Sequence, residues 1–237
     1  MTPAPPQPSP AKPAKPRILR RVLVATLPLG LLVLCAVPNI GPVFRLFSIP
    51  AASMAPALPL GSYALASRAS YGYSRYSFDV FDLPISGRWP DLIPKRGLIP
   101  KRGDVVVFRN PQDEATIWVK RVIGLPGDTV QMKGGRLVLN NKVVARDKAA
   151  DVPDPAGDKG PVTSYVERLP DGPSYVIIER DGDEGSLDTT DLFAVPPGHL
   201  FMMGDNRDNS NDSRVASAGG LGTVPVELVI GRVVASF

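Results

Sequence analysis

Residues 102–128 read RGDVVVFRNPQDEATIWVKRVIGLPGD, and two strands stand out in them. Asp104–Phe108 is a short apolar run rich in Val, the composition of a buried strand. Thr116–Ile123 is a second, closed by the turn-forming Gly124-Leu-Pro-Gly127. Outward from this pair the pattern repeats. Thr129–Met132 and Arg136–Leu139 flank Lys133-Gly134-Gly135, the signature of a hairpin. Tyr175–Glu179, Leu200–Met203 and Val226–Val234 read as further strands, and Ala149–Pro173, dense in Pro, Gly and Asp, reads as a loop-dominated insertion. The 237 residues include 27 Pro and 22 Gly, so one in five disfavours a helix interior. The expected class is mainly β.

The N-terminal side differs in kind. Seven prolines lie within the first 16 residues, which marks 1–17 as a proline-rich tail. Val22–Phe44 then carries no charge. About twenty apolar residues at ~1.5 Å rise cross a ~30 Å hydrocarbon core, so 18–40 is expected to hold a transmembrane helix, centred on Ile18–Val37. Pro38, Asn39, Gly41 and Pro42 end it. A cleaved leader competes with this reading, but no small-x-small site follows closely. A buried core helix is the other alternative. Lys12, Lys15, Arg17, Arg20 and Arg21 flank the span on its N-terminal side, which places that end in the cytoplasm and residues 45–237 outside it.

Charge and cysteine usage exclude whole classes. The net charge of +4 belongs to residues 1–21, which carry five basic side chains and no acid: the remaining 216 residues hold 22 basic and 23 acidic side chains. A nucleic-acid partner would need basic charge spread over the folded part, and none is expected. One Cys forbids a disulfide framework, and one Cys with one His cannot close a zinc site. Cys35, in mid-span, reads as a small apolar residue. The only His, His199, follows Pro196-Pro-Gly198 and reads as a solvated turn residue.

Three features carry chemistry. Lys120 shares a strand face with Trp118 and Val122, and an ammonium held against such a face loses solvation and basicity. A lysine brought near neutrality can act as a general base; the competing reading is an edge lysine snorkelling to water. Ser53, in Ile49-Pro-Ala-Ala-Ser-Met-Ala-Pro56, has small residues before it and a proline three after it, which constrain the backbone and expose the hydroxyl. A nucleophilic Ser needs a base, and elimination of His199 leaves Lys. The third feature is Gly204-Asp-Asn-Arg-Asp-Asn-Ser-Asn-Asp-Ser-Arg214. Asp208, Ser210 and Asp212 have alternate-ligand spacing, yet the Gly at position 6 and the Glu at 12 of a calcium loop are missing. An internally hydrogen-bonded turn with Arg–Asp pairing suits its composition better.

Four blocks in order, IPAASMAP at 49–56, RGDVVVFRNP at 102–111, VKRVIGLPGD at 119–128 and MMGDNRDNSNDSR at 202–214, resemble the bacterial signal peptidase I family. The resemblance covers about Phe47–Phe237 and the anchor before it. It implies an antiparallel coiled β-sheet domain with a smaller inserted β subdomain at about 140–198, carried on one N-terminal transmembrane helix. It implies a serine endopeptidase of the bacterial inner (plasma) membrane, single-pass, that removes signal peptides from exported preproteins at the outer, periplasmic face. The partners are then those signal peptides and the lipid bilayer, with no metal or cofactor.

Matched position by position, Ser53 resembles the family's nucleophile and Lys120 its base. Ser210 resembles the residue that hydrogen-bonds and orients the lysine. Arg121 with Asp205, and Asp212 with Arg214, match supporting pairs. Ile49, Pro50, Met54, Leu58, Trp118 and Val119 match the walls of shallow pockets for small side chains. Ala51 departs from members that carry a Ser there as an oxyanion donor; the Cys pair of some relatives is absent, and one anchor replaces the two that others have. Two rival readings keep the same motifs: a specialised peptidase for one pilin-like or conjugation substrate, and a β domain that only binds peptides. Tyr71, Tyr73, Tyr76, Phe78, Phe81 and Trp89 suit either a lipid interface or an ordinary extended hairpin, and Leu92–Gly97 repeats at once as Leu98–Gly103.

Overall fold

The structure, a computed structural model, describes residues 43–72, 98–157, 160–215 and 220–237. The tail, the expected span at 18–40, the first LIPKRG copy and the aromatics from Tyr73 to Trp89 lie outside these residues. Among the described residues no helix is long and apolar enough to cross a membrane.

Fourteen strands are formed by the described residues: β1 Phe44–Ser48, β2 Tyr63–Ser67, β3 Val105–Asn110, β4 Asp113–Gly124, β5 Thr129–Lys133, β6 Arg136–Leu139, β7 Lys142–Val143, β8 Ala145–Lys148, β9 Thr163–Arg168, β10 Ser174–Glu179, β11 Phe193–Ala194, β12 His199–Met203, β13 Val224–Pro225 and β14 Val229–Ser236. Every pairing of strands is antiparallel. Seven strands make the main sheet in the order β1-β2-β14-β3-β4-β12-β13. Between β4 and β12 the chain builds two small sheets, β11-β5-β6-β7 and β10-β9-β8.

The continuous apolar runs are explained by burial on both faces. Leu200 and Met202 of β12 enter a core with Phe47, Val106, Phe108, Val122 and Ile230. Their neighbours Phe201 and Met203 enter a second core with Ile123, Val130, Met132, Leu137 and Ile177. Alternation along a strand sends successive side chains to opposite faces, so β12 and the end of β4 separate the two cores. Gly124 lies where they meet most closely: a Cβ there would stand 2.8 Å from Val130 and 2.9 Å from Phe201.

The four blocks are drawn together by long-range polar contacts. Arg102 donates through Nη1 to the Ile123 carbonyl at 2.6 Å and to Asp128 at 2.9 Å, joining the start of the second block to the end of the third. The expected loop at 149–173 needs one correction, because Thr163–Arg168 is β9, paired with both β8 and β10. Its buried Glu167 breaks the apolar pattern that marks a strand, and tertiary partners stabilise it instead.

Candidate active site

Ser53 sits in a single turn of 3-10 helix, Ala52–Met54, between β1 and β2. The turn is anchored beneath: Met54 and Leu58 are nearly fully buried with Ile49 and Ala64, and Val119 of β4 packs on this cluster. Polar groups hold it from the other side. Asn206 donates its backbone N–H to the Ser53 carbonyl at 3.1 Å and its side-chain amide to the Ala52 carbonyl at 3.2 Å. The Ser53 side chain is left partly exposed between these two supports.

Lys120 reaches it from β4. Its Nζ lies 2.6 Å from Ser53 Oγ and 5.7 Å from the centroid of the Trp118 ring. The side chain is 4% exposed, and burial lowers the ammonium to about 8; Asp212 and Asp205 oppose that shift, and Arg214 adds to it. At pH 7 a lysine of that basicity is neutral in about a tenth of molecules, where an ordinary one is neutral in well under a thousandth. The alternation expected for β4 is therefore met: Lys120 stands on one face, and Arg121 is sent to the other.

Arg121 binds Asp205 through two parallel bonds, 2.7 and 2.6 Å, donates to the Gly103 carbonyl at 2.8 Å, and stacks 4.2 Å above the Tyr175 ring. Asp212 pairs with Arg214 in the same bidentate way, at 2.9 Å for each bond, and accepts the Gly204 N–H at 2.9 Å. That arginine, supported by the Gly204 bond, holds the Asp212 carboxyl below its ordinary value despite burial. Two charged pairs thus fix the loop after β12 from opposite ends.

Other expected positions separate into those at the site and those beneath it. Ile49, Met54 and Leu58 are buried, Pro50 is exposed, and Trp118 and Val119 are partly buried. Ser210 is buried beside Gly204, but its Oγ has no hydrogen-bond partner, so the bond to Lys120 expected from the resemblance is not formed in this geometry. His199 begins β12 and its ring contacts the Pro197 carbonyl at 3.1 Å.

Sequence reasoning missed a buried cluster behind the loop. Arg207 is fully buried, forks onto Glu167, and donates to the Gly204 carbonyl at 3.1 Å and to the Tyr175 hydroxyl at 3.1 Å. Arg214 in turn donates to the Arg207 carbonyl at 2.6 Å. Three polar residues in separate strands and loops carry no local signal; an arginine flanked by Asn and Asp simply reads as solvated.

A hydroxyl in contact with a desolvated amine, on a rigid β frame, is the arrangement a serine hydrolase with a lysine base requires. Comparison with known proteins places the chain in a family. The chain belongs to the signal peptidase, peptidase S26 family, whose description matches residues 19–237. It is 39% identical over 169 residues to the signal peptidase I of Pseudomonas aeruginosa, covering 71% of this chain and 54% of that protein. It is 37% identical over 197 residues to the signal peptidase I of Rickettsia massiliae, covering 78% of this chain and 68% of that one. The chain thus spans about half the length of its Pseudomonas relative. A solved structure of a signal peptidase I from Enterococcus faecalis is 27% identical and covers 57% of this chain and 97% of that one, with a TM-score of 0.34.

Proposed function

We propose that this protein is a membrane-anchored serine endopeptidase that removes N-terminal signal peptides from exported preproteins, with Ser53 as nucleophile and Lys120 as general base. The observation that carries the reading is the 2.6 Å contact between Lys120 Nζ and Ser53 Oγ at a lysine lowered to about 8. Family membership supports the substrate class, as do the relatives named signal peptidase I.

In the reactive form neutral Lys120 accepts the Ser53 hydroxyl proton as Oγ attacks the scissile carbonyl. The resulting ammonium is stabilised by the charges of Asp212 and Asp205, then gives its proton to the leaving amine. Water, deprotonated by the same lysine, attacks the acyl carbonyl; the ester bond to Ser53 Oγ breaks and the lysine returns its proton to that oxygen. The Ser53 N–H is one oxyanion donor, and the Ala52 N–H, the Ser48 hydroxyl or a water is the second, because Ala51 has no hydroxyl. The preprotein docks as an extended strand, its alternate small side chains facing Trp118 and Val119.

Segment 18–40 crosses the membrane, with tail 1–17 in the cytoplasm and 45–237 as the extracytoplasmic domain, about 140–198 of it an inserted subdomain. The deciding experiment is cleavage of several unrelated preproteins by the purified chain in detergent. Cleavage of all at the signal-peptide junction is expected. Cleavage of a single substrate would replace the general role with a specialised one, and binding without cleavage would reject catalysis. A reporter fused after Phe237 is expected to be active only outside the cytoplasm.

A further inference from the structure

Three carboxylates converge from separate segments, one of them in the 204–214 loop. Glu179 ends β10, Asp188 follows the short turn at Gly182–Glu184, and Asp208 belongs to the turn Arg207–Asn209. One oxygen from each lies within 4.8 Å of the other two.

Two of the three are pinned by backbone donors that use one oxygen each. Asp208 Oδ2 accepts the N–H groups of Arg180 at 2.6 Å and Asp181 at 2.7 Å, and Asp188 Oδ2 accepts that of Gly185 at 2.6 Å. The other oxygen of Asp188 is buried and has no hydrogen-bond partner. Glu179 is the decisive member: it is 1% exposed, and neither of its oxygens has a hydrogen-bond partner. Buried carboxylate oxygens are otherwise almost always paired, because leaving one unpaired costs its full desolvation.

The charges nearby do not balance this group. Arg146 Nη1 stands 3.6 Å from Glu179 Oε1, too far for a hydrogen bond, and its Nη2 is bound to Asp183 at 2.7 and 2.8 Å. Arg207 and Arg214 are bound to Glu167 and Asp212. Space is kept as well, since a Cβ at position 185 would stand 2.4 Å from Asp208 Oδ1 and 3.0 Å from Asp188 Oδ2.

We propose that Glu179, Asp188 and Asp208 bind a hard divalent cation of the calcium or manganese kind, which clamps β10 and the 185–188 turn to the loop carrying Asp205 and Asn206. Oxygen-only donors select such ions over zinc or copper. Ligands at ~2.4 Å from a central ion are at most ~4.8 Å apart, and the three oxygens meet that limit. The role is structural: none of the three carboxylates contacts Ser53 or Lys120 in the described hydrogen bonds, and the ion takes no part in the reaction. It differs from a calcium loop of consecutive ligands, since Asp212 is engaged by Arg214 and only Asp208 comes from the 204–214 segment.

The test uses the full chain in detergent, stripped with EDTA and titrated with calcium or manganese while heat of binding and Tm are recorded. One ion per chain and a rise in Tm of several degrees are expected, both reversed by EDTA. Glu179→Gln and Asp188→Asn should each weaken binding at least about tenfold. Asp188→Asn alters a turn outside the strands and serves where Glu179→Gln does not fold. No binding to the unaltered chain at millimolar ion, or an undiminished response in Asp188→Asn, overturns the proposal. So does a Glu179→Gln chain more stable than the parent with no ion effect in either, because a held proton then balances the cluster.

Discussion

The backbone N–H of Asn206 donates to the carbonyl of Ser53 at 3.1 Å, so the loop after β12 holds the very residue whose hydroxyl Lys120 contacts. The Asn206 side chain doubles that tie at the Ala52 carbonyl. Gly204 makes the approach possible, since a Cβ on it would stand 2.5 Å from the Ser53 carbonyl oxygen and 2.2 Å from Ser210 Oγ. Gly204→Ala is therefore expected to displace the nucleophile and lower kcat by about 10²-fold. Asn206→Ala keeps the backbone bond and should cost only about 1 kcal/mol of stability. Steady-state cleavage and thermal melts of both variants check the pair; equal damage from the two would contradict it.

Ser53→Ala and Lys120→Ala should each remove nearly all cleavage, and the double variant should be little worse, because the two groups act as a unit. Lys120→Arg is expected to be as inactive, since a guanidinium does not give up its proton at any working pH. Single-turnover cleavage measures this directly. A Lys120→Ala protein retaining more than about a tenth of the parent kcat would remove the lysine from its role.

Activity should rise about tenfold per pH unit below 8 and level off above it, because the neutral amine is the working form and its basicity lies at about 8. His199→Ala should leave that profile unchanged. Stability follows the same group. Lys120 holds its proton less firmly folded than unfolded, so between about pH 8 and 10.5 the unfolded chain binds more protons and wild-type stability rises with pH. Below pH 8 the full penalty of the buried ammonium is present. Lys120→Met should thus be inactive yet more stable at pH 7 by up to about 3 kcal/mol, a gain that fades towards pH 10.5. Urea melts of both proteins at pH 7 and pH 10 show whether the difference closes.

Removing one partner of the buried Arg207–Glu167 pair strands the other without water. Arg207→Met is expected to destabilise the protein by roughly 3–5 kcal/mol, and adding Glu167→Gln should recover part of that loss. A double-mutant cycle in urea reads the coupling. Additive losses would show that the two side chains do not depend on each other.

Ala51→Ser supplies the hydroxyl that some relatives use at the oxyanion. With a substitute donor already in place, kcat should change by less than about tenfold. A hundredfold gain at unchanged KM would show that the second donor is missing from this protein.

Much of the frame was legible because its cause is local. Asp104–Phe108 and Leu200–Met203 are short apolar runs of the kind a buried strand has, and Thr116–Ile123 ends at a turn; all but Asp104 of these residues lie within observed strands. Turn chemistry at Lys133-Gly134-Gly135 likewise placed the β5–β6 hairpin. The strand at Thr163–Arg168 lacks an apolar signal because its buried positions are a serine and a glutamate, the latter stabilised by an arginine 40 residues away.

The chain by itself determined the residue types available for chemistry, the alternation that sends Lys120 and Arg121 to opposite faces, and the four ordered blocks that mark the family. Only the tertiary structure decided which groups meet. Ser53 and Lys120 are 67 positions apart, Arg121 and Asp205 are 84, and Ala52 and Asn206 are 154. Burial was decided there too: it lowers Lys120, leaves Glu179 without a hydrogen bond, and turns Arg207 from an apparent surface residue into a fully enclosed one. Local pattern records what a side chain is, whereas desolvation and pairing depend on what the rest of the fold brings against it.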